Sequence, residues 1–235
     1  MIGCFVIAAM FIPEIAQAAG AGYAVDIAEV SSPGSCKVES WVSSADNGDL
    51  LAAVSPACVV NLTRPVEFSS QFSRSGSSGE WATAATPKIK TNLLPSGIGI
   101  WGLAITASAA YDLSTGENTA VSVVLPATLR LSEVMRVNLN AGWQQDRTLN
   151  RPYFVYGAAF DIRTLDNVWT VTGEMFGQAG ESEDANLVRP RFQLGLRFRP
   201  IDRFNVDLIY GRNITGENAN WLTVASIIRF PAAEK

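Results

Sequence analysis

The sequence predicts an all-β protein, a closed antiparallel transmembrane β-barrel of about twelve strands, with ten strands as the alternative. After residue 20, no stretch shows the i, i+3, i+4 spacing of apolar residues that a long amphipathic helix requires, and period-two alternation dominates instead. Many alternating segments run for about ten residues or more, which is the length that a tilted strand needs to cross a bilayer. Short and long connections alternate along the chain, as in barrels whose two termini both lie in the periplasm.

The first eighteen residues are predicted to be a secretory signal peptide. Residues 2–12 form an apolar run that is too short to span a bilayer as a helix, which takes about 20 residues. Ala16-Gln17-Ala18 matches the A-x-A signature and places cleavage before Ala19. No Lys or Arg precedes the run and Glu14 lies near the cleavage site, so a buried N-terminal strand or helix is the alternative. Residues 19–35 are expected to form a periplasmic N-terminal segment ahead of the barrel.

The first hairpin is predicted from strands at 36–44 and 49–60, which flank the turn residues Asp46-Asn47-Gly48. Folding about this turn places Cys36 directly opposite Cys58. Opposed residues in an antiparallel pair have Cβ atoms about 4.5–5.5 Å apart, close to the span of a disulfide. Once Cys4 leaves with the signal peptide, two cysteines remain in an exported chain, which favours the same bond over a chance pairing of small residues.

Turn signals place the next strands at 64–74, 80–93, 98–111 and 118–131. The polar connections at 45–48, 75–79 and 112–117 follow the odd-numbered strands. The shorter connections at 61–63, 94–97 and 132–133 follow the even-numbered strands. Alternation is weak in strands one and two, and this weakness is why ten strands remains an alternative.

The last six strands are predicted at 134–145, 151–163, 167–177, 187–199, 203–212 and 220–230. Their alternation is the clearest in the chain: in 191–199, Phe192, Leu194, Leu196 and Phe198 alternate with arginines, Gln193 and Gly195. The bulky apolar face is expected to meet lipid, and the small or ionic face is expected to line the lumen. Phe230 is predicted to be the terminal aromatic signal for barrel assembly, followed by a C-terminal tail at 231–235.

Composition excludes several classes of function. The chain of 235 residues has a net charge of −4 and a pI near 5.0, which argues against nucleic-acid binding by a basic face. It contains no histidine, so Ser-His and Cys-His nucleophile pairs, HExxH zinc sites and an imidazole general base are all ruled out. We therefore expect no enzymatic activity, no cofactor and no metal site.

The inward face is predicted to be rich in charge, with many basic residues toward the periplasmic end. In a narrow pore the positive surplus would favour anionic solutes, whereas in a small lumen the opposite charges would pair and plug it. Both readings remain open. The residues predicted to line the lumen are Lys37, Glu39, Glu67, Lys88, Lys90, Arg130, Arg136, Asn138, Asp161, Arg163, Glu174, Arg191, Gln193, Arg197, Arg199, Asp207 and Arg229.

Three motifs resemble a known family. The opening hairpin, the middle and the C-terminal hairpin of the outer-membrane barrels grouped with the meta-pathway of phenol degradation are similar to Cys36–Val42 with Pro56-Ala57-Cys58, to Ala141–Arg147, and to Asp207–Glu217 with Asn220–Thr223. The resemblance implies an outer-membrane channel or transporter for small solutes, aromatic or hydrophobic ones among them. It supplies no binding residues.

The sequence thus predicts a protein of the bacterial outer membrane with its barrel at 36–230. Its expected partners are outer-membrane lipid, the barrel-assembly machinery and a small solute. A closed structural or interaction barrel without transport is the alternative, and a soluble lipid-binding barrel of the periplasm is the least favoured reading. The oligomeric state is left open.

Overall fold

The computed structural model describes residues 22–77, 79–164, 166–182, 188–213 and 218–230. Each strand pairs antiparallel with its neighbours along the chain, and the last strand pairs with the first to close the barrel. The strands are β1 (Cys36–Ala45), β2 (Leu50–Asn61), β3 (Pro65–Ser77), β4 (Glu80–Leu94), β5 (Trp101–Asp112), β6 (Asn118–Arg130), β7 (Met135–Asp146), β8 (Arg151–Arg163), β9 (Trp169–Ala179), β10 (Arg191–Ile201), β11 (Phe204–Arg212) and β12 (Asn220–Phe230). The predicted signal peptide, residues 19–21 and the tail at 231–235 lie outside the described residues.

The predicted twelve-strand barrel is confirmed, and the ten-strand alternative is wrong. The weakly alternating segments form the regular hairpin β1–β2, with Ser44 opposite Leu50 and Cys36 opposite Cys58. The largest boundary shift is at the start of β10, and β9 also begins later than predicted. β9 begins later than predicted because Asn167 adopts a φ of 59° in a turn where the Asp166 carboxylate accepts a hydrogen bond from the Val168 N–H. In the described part of the chain, no helix is long and apolar enough to cross a bilayer.

The two ends of the barrel differ. One end carries Cys36, Phe230 and the short connections that follow even-numbered strands, and we call it the lower end. The opposite end, the upper end, carries the connections that follow odd-numbered strands. At the first of these, Gly48 has a φ of 91° and its N–H donates to the Ala45 carbonyl, which closes a tight turn.

The outer face of the barrel is apolar. Large aliphatic and aromatic side chains project outward from every strand and are substantially exposed, in a continuous belt that suits hydrocarbon and not water. Trp81, Trp101, Trp143 and Trp169 lie on this face near strand ends, where aromatic side chains suit a membrane interface. The belt includes Val42, Phe68, Phe72, Leu125, Leu139, Phe160, Leu194, Leu208, Leu222 and Val224.

The inner face is mostly small, polar or charged, but it also carries large apolar side chains, among them two tryptophans. Trp41 packs inside the barrel with Ala53, Ala225 and Ile227, and Trp221 packs with Ala45 and Ala219. Both indoles lie on strands that flank the seam where β12 closes on β1. The small residues opposite them on neighbouring strands provide the space for two large rings in a narrow lumen.

The N-terminal segment requires a correction. The sequence predicts residues 19–35 as a periplasmic segment ahead of the barrel, but residues 22–29 lie inside the lumen. Tyr23, Val25 and Ala28 are almost completely buried there. The prediction was wrong for this stretch because partners of its polar groups lie on the inner faces of strands far away in sequence. Residues 34–35 leave the lumen and extend the ladder to β2, with the Gly34 N–H donating to the Val59 carbonyl.

A disulfide joins Cys36 to Cys58, as the register of the hairpin predicts. The Cα atoms are 4.0 Å apart, and the exposed Cys58 shows that the bond lies on the outer face at the lower end. It therefore covalently fixes β1 to β2 directly after the chain leaves the lumen.

Removing this bond is predicted to destabilise the barrel by roughly 2–4 kcal/mol, because the unfolded chain regains the freedom that the cross-link removes. The Cys36→Ser/Cys58→Ser variant should unfold at lower denaturant concentration, monitored by the heat-modifiable gel shift of the barrel. The processed wild-type protein should show no reactive thiol before reduction and two after it.

Wild-type protein treated with reductant is the matched control, since it also lacks the cross-link but keeps both sulfur atoms. Equal unfolding midpoints for the oxidised wild type, the reduced wild type and the double variant would contradict the assignment.

Candidate functional site

The residues that were predicted to line the lumen all occupy inward-facing positions of their strands. Each shares its face with a residue buried inside the barrel: Lys37 and Glu39 with Trp41 on β1, and Arg229 with Ile227 on β12. The others lie on β3 (Glu67), β4 (Lys88, Lys90), β6 (Arg130), β7 (Arg136, Asn138), β8 (Asp161, Arg163), β9 (Glu174), β10 (Arg191, Gln193, Arg197, Arg199) and β11 (Asp207).

The lumen is occupied by residues 22–29, which we call the plug segment. Its backbone is held by side chains of the barrel wall. The Glu174 carboxylate accepts hydrogen bonds from the N–H groups of Ala24 (2.7 Å) and Val25 (3.1 Å). The Thr128 hydroxyl accepts from the Ala28 N–H at 2.9 Å, and the Asn92 amide donates to the Ala28 carbonyl at 2.8 Å. These contacts replace the water that an extended backbone would otherwise bind.

Asp26 is the central charge of the plug segment. Its carboxylate pairs with Lys90 at 2.7 Å and with Lys88 at 3.6 Å, both on β4. Burial alone would raise the pKa of Asp26, but these ammonium groups outweigh burial and hold the pKa well below its ordinary value of 3.8. In the amide orientation that satisfies both groups, Asn140 also bonds the backbone N–H and carbonyl of Asp26. Asp26 is therefore bound to two separate parts of the lumen wall, on β4 and β7.

Glu29 is the second charge of the plug segment and lies at its lower end. Its carboxylate accepts hydrogen bonds from Arg130 Nε at 2.9 Å, Arg136 Nη1 at 3.0 Å and the Ser96 hydroxyl at 3.0 Å. Burial opposes ionisation here as well, yet the Arg136 and Arg130 guanidiniums lower the pKa of Glu29 below its ordinary value. One carboxylate thus neutralises the two arginines that face each other on β6 and β7.

The upper part of the plug segment fits into spaces that strand glycines leave open. Tyr23 lies over Gly195, where a Cβ atom would overlap its hydroxyl, and Val25 lies over Gly157, where a Cβ atom would come within 2.8 Å of Val25 Cγ2. The Tyr23 ring also stacks under the Arg197 guanidinium at 5.6 Å, and its hydroxyl points to Asp207 at 3.5 Å. The wall is therefore shaped to receive this segment.

Ion pairs within the wall neutralise most of the remaining charges. Lys37 pairs with Glu39 at 3.0 Å and with Glu67 at 3.6 Å. Arg197 pairs with Asp207 at 2.7 Å, and Arg136 pairs with Asp161 in addition to Glu29.

Below the plug segment lies a cavity of about 140 Å³ that opens at the lower end. Six arginines contribute to its lining, namely Arg130, Arg136, Arg163, Arg197, Arg199 and Arg229. The first two are neutralised by Glu29, and Arg197 is neutralised by Asp207. Within the described ranges, Arg163, Arg199 and Arg229 form no ion pair with a carboxylate. The lower mouth therefore keeps a local positive surplus.

Tyr23, Asp26 and Glu29 were not among the residues predicted to line the lumen. One signal pointed to them: the residues predicted to line the lumen comprise ten Lys and Arg but only five Asp and Glu. Asp26 and Glu29 stand in an otherwise apolar stretch just before the barrel and supply two of the missing carboxylates. The described residues contain no group of three or more Cys, Asp or Glu side chains arranged to hold a metal ion.

Comparisons with known sequences give one family match. Residues 7–230 match the model of a family described as "Uncharacterised conserved protein UCP029691". No curated protein matches the sequence.

Three solved structures show a similar fold. The COG4313 outer membrane channel from Pseudomonas putida F1 has 14% identity and a TM-score of 0.59, with 86% of this chain and 97% of that chain covered. The NanC porin has 6% identity and a TM-score of 0.61, with 82% and 98% covered. The outer membrane protein Omp33 of Acinetobacter baumannii has 8% identity and a TM-score of 0.50, with 83% and 97% covered. At these identities the likeness shows the fold alone.

Filling the two glycine spaces is predicted to expel the plug segment. In the Gly157→Ala/Gly195→Ala variant, one new methyl group would overlap the Tyr23 hydroxyl and the other would come within 2.8 Å of Val25 Cγ2, so the segment should leave the wall. Chymotrypsin should then cleave after Tyr23, whereas this bond in the wild-type protein should resist cleavage.

The matched control is Gly97→Ala in a lower turn, where a Cβ atom would meet only Ile100 at ordinary contact distances of 3.6 Å and more. Mass spectrometry of the N-terminal peptide gives the result. Equal protection of Tyr23 in the glycine variant and in the control would show that the segment does not depend on these spaces.

Proposed function

This chain belongs to the uncharacterised conserved protein family UCP029691, and we propose that it is an outer-membrane channel for small anionic solutes whose lumen is closed at rest by the plug segment. The observation that carries the proposal is the charge of the lumen. Its wall presents more cations than carboxylates, and the segment that blocks it is held largely by those cations.

The outer surface and the fold support the location. A continuous belt of exposed aliphatic and aromatic side chains around a closed barrel is stable in a bilayer and would aggregate in water. The similar structures are described as an outer membrane channel, a porin and an outer membrane protein.

The lumen favours an anion over a neutral hydrophobic solute. An uncharged apolar molecule that passed Lys88, Lys90 and the lower arginines would displace water from those charged groups. It would form no favourable interaction with them in exchange. A carboxylate would instead replace Asp26 or Glu29 as the partner of the same cations. Trp41, Tyr153, Phe176 and Trp221 line other parts of the interior, so an aromatic carboxylate would find contacts for its ring as well.

A second candidate function is a closed structural barrel. Its support is the density of the bonds that hold the plug segment, which include two ionised carboxylates on four cations and three backbone N–H groups. In this alternative the segment is a permanent part of the core.

Weakening the plug segment separates the two candidates. The Asp26→Asn/Glu29→Gln variant keeps the shape of both side chains but removes the charges that bind Lys88, Lys90, Arg130 and Arg136. We predict small or rare conductance events for the wild type in planar bilayers, and larger or more frequent events for the variant, at least about tenfold in open time.

Asp202→Asn, in an exposed lower turn, removes an acidic charge at the same end of the barrel and should behave as the wild type. If neither the wild type nor the double variant conducts, the closed structural barrel is the better account.

Selectivity tests the direction of the charge effect. Arg163→Glu/Arg199→Glu reverses two arginines that form no ion pair among the described residues, so the barrel should still fold. Arg197 is left unchanged because Asp207 depends on it. With a potassium chloride gradient, reversal potentials should indicate anion preference before the change and cation preference after it. Unchanged selectivity in a conducting variant would contradict the proposed pathway.

A further inference from the structure

The cavity under the plug segment has a composition that the channel proposal does not explain. Arg163, Arg199 and Arg229 surround it on β8, β10 and β12, and none of them has a carboxylate partner within the described ranges. Arg229 Nη1 is buried from solvent and makes no hydrogen bond to any described group. The three guanidiniums are partly shielded from solvent and repel one another across the cavity, and a bound anion would offset that repulsion.

The remaining groups around the cavity do not supply that anion. Asp161 is already engaged by Arg136, by the Thr172 hydroxyl at 2.6 Å and by the Asn138 amide at 3.1 Å. Glu133 lies in the exposed turn between β6 and β7 and forms no ion pair among the described residues. Among the described residues, the Arg163 guanidinium donates to the Asn167 amide oxygen at 3.3 Å and to no carboxylate.

The strand register explains why the guanidiniums converge. Thr170 on β9 stands opposite Arg163 on one side and Arg197 on the other. Arg199 follows Arg197 on the same inward face of β10, one step nearer the lower end. Arg229 pairs with Lys37 across the seam of the barrel. Rigid strands therefore hold the three arginines around one space, and no loop movement is needed to assemble it.

We propose that this cavity is a binding site for a small oxyanion, held by the guanidiniums of Arg163, Arg199 and Arg229. Guanidinium groups bind phosphate and carboxylate oxygens through paired hydrogen bonds, which gives a geometric fit as well as charge neutralisation. A volume of about 140 Å³ is ample for one such group, since a single water needs only about 10–15 Å³ on the same measure.

The site deepens the proposed function, because it lies directly below the arginines that hold Glu29. An oxyanion bound here occupies the position next to Arg130 and Arg136, and it would compete with Glu29 for them. The site thus provides the first or last binding position of an anion at the lower mouth, adjacent to the plug segment.

Calorimetric titration of the purified barrel in dodecylmaltoside with inorganic phosphate tests the proposal, with ionic strength held constant by chloride. We expect saturable binding by the wild type. Arg199→Gln and Arg229→Gln should each weaken it about tenfold or more, because each removes one charged donor pair. Arg203→Gln, in an exposed turn at the same end and outside the cavity lining, should bind like the wild type.

Heat effects that are non-saturable, or equal in all four proteins, would show general screening and overturn the site.

A free solute and the headgroup of a phospholipid present the same chemistry, and adding phosphatidylglycerol to the micelles distinguishes them. Competition by this lipid assigns the site to a headgroup, and unchanged phosphate affinity assigns it to a solute. Phosphate binding is measured without current, so the site and the channel can be tested separately. Phosphate binding without conductance would support the site and contradict the channel. Conductance without saturable phosphate binding would support the channel and contradict the site.

Discussion

Charge balance inside a closed ring of strands is the constraint on which the rest of the structure depends. A barrel with an apolar outer face must turn its ionic side chains inward, and a narrow lumen then gives these charges little water. The wall meets part of this demand itself through pairs such as Lys37 with Glu67 and Arg197 with Asp207. Among the described residues, Lys88, Lys90 and Arg130 have no carboxylate partner in the wall, and together with Arg136 they bind the plug segment.

The fold could be predicted because the barrel wall obeys a local rule. In a strand that separates lipid from a lumen, every second residue must be apolar, and this rule is readable from neighbouring residues alone, as in 191–199. The register of the first hairpin followed from its turn, and with it the disulfide between Cys36 and Cys58. Where the rule is weak, as at the start of β9, the structure departs because a polar turn at Asn167 delays the strand.

The plug segment could not be predicted in the same way, because its stability comes from distant residues. Asp26 contacts Lys90, which is 64 positions away, and Ala24 contacts Glu174, which is 150 positions away. No local period marks such a segment, and it forms no strand of its own. The surplus of inward cations was visible in the sequence, but it did not reveal whether a solute, a loop or the chain's own N-terminal part would balance it.

The disulfide lies where the barrel wall and the plug segment meet along the chain. Between the plug segment and Cys36, the chain runs through Gly34 and Ser35, whose backbones already pair with Val59 on β2. The cross-link to Cys58 therefore fixes the point where the plug segment leaves the lumen, while the segment itself is held only by noncovalent bonds. Loss of those bonds would free the segment without loosening the strand that follows it. A barrel that needed only a filled core would not require this separation. The proposed channel does require it, because its wall must keep its register while the segment moves.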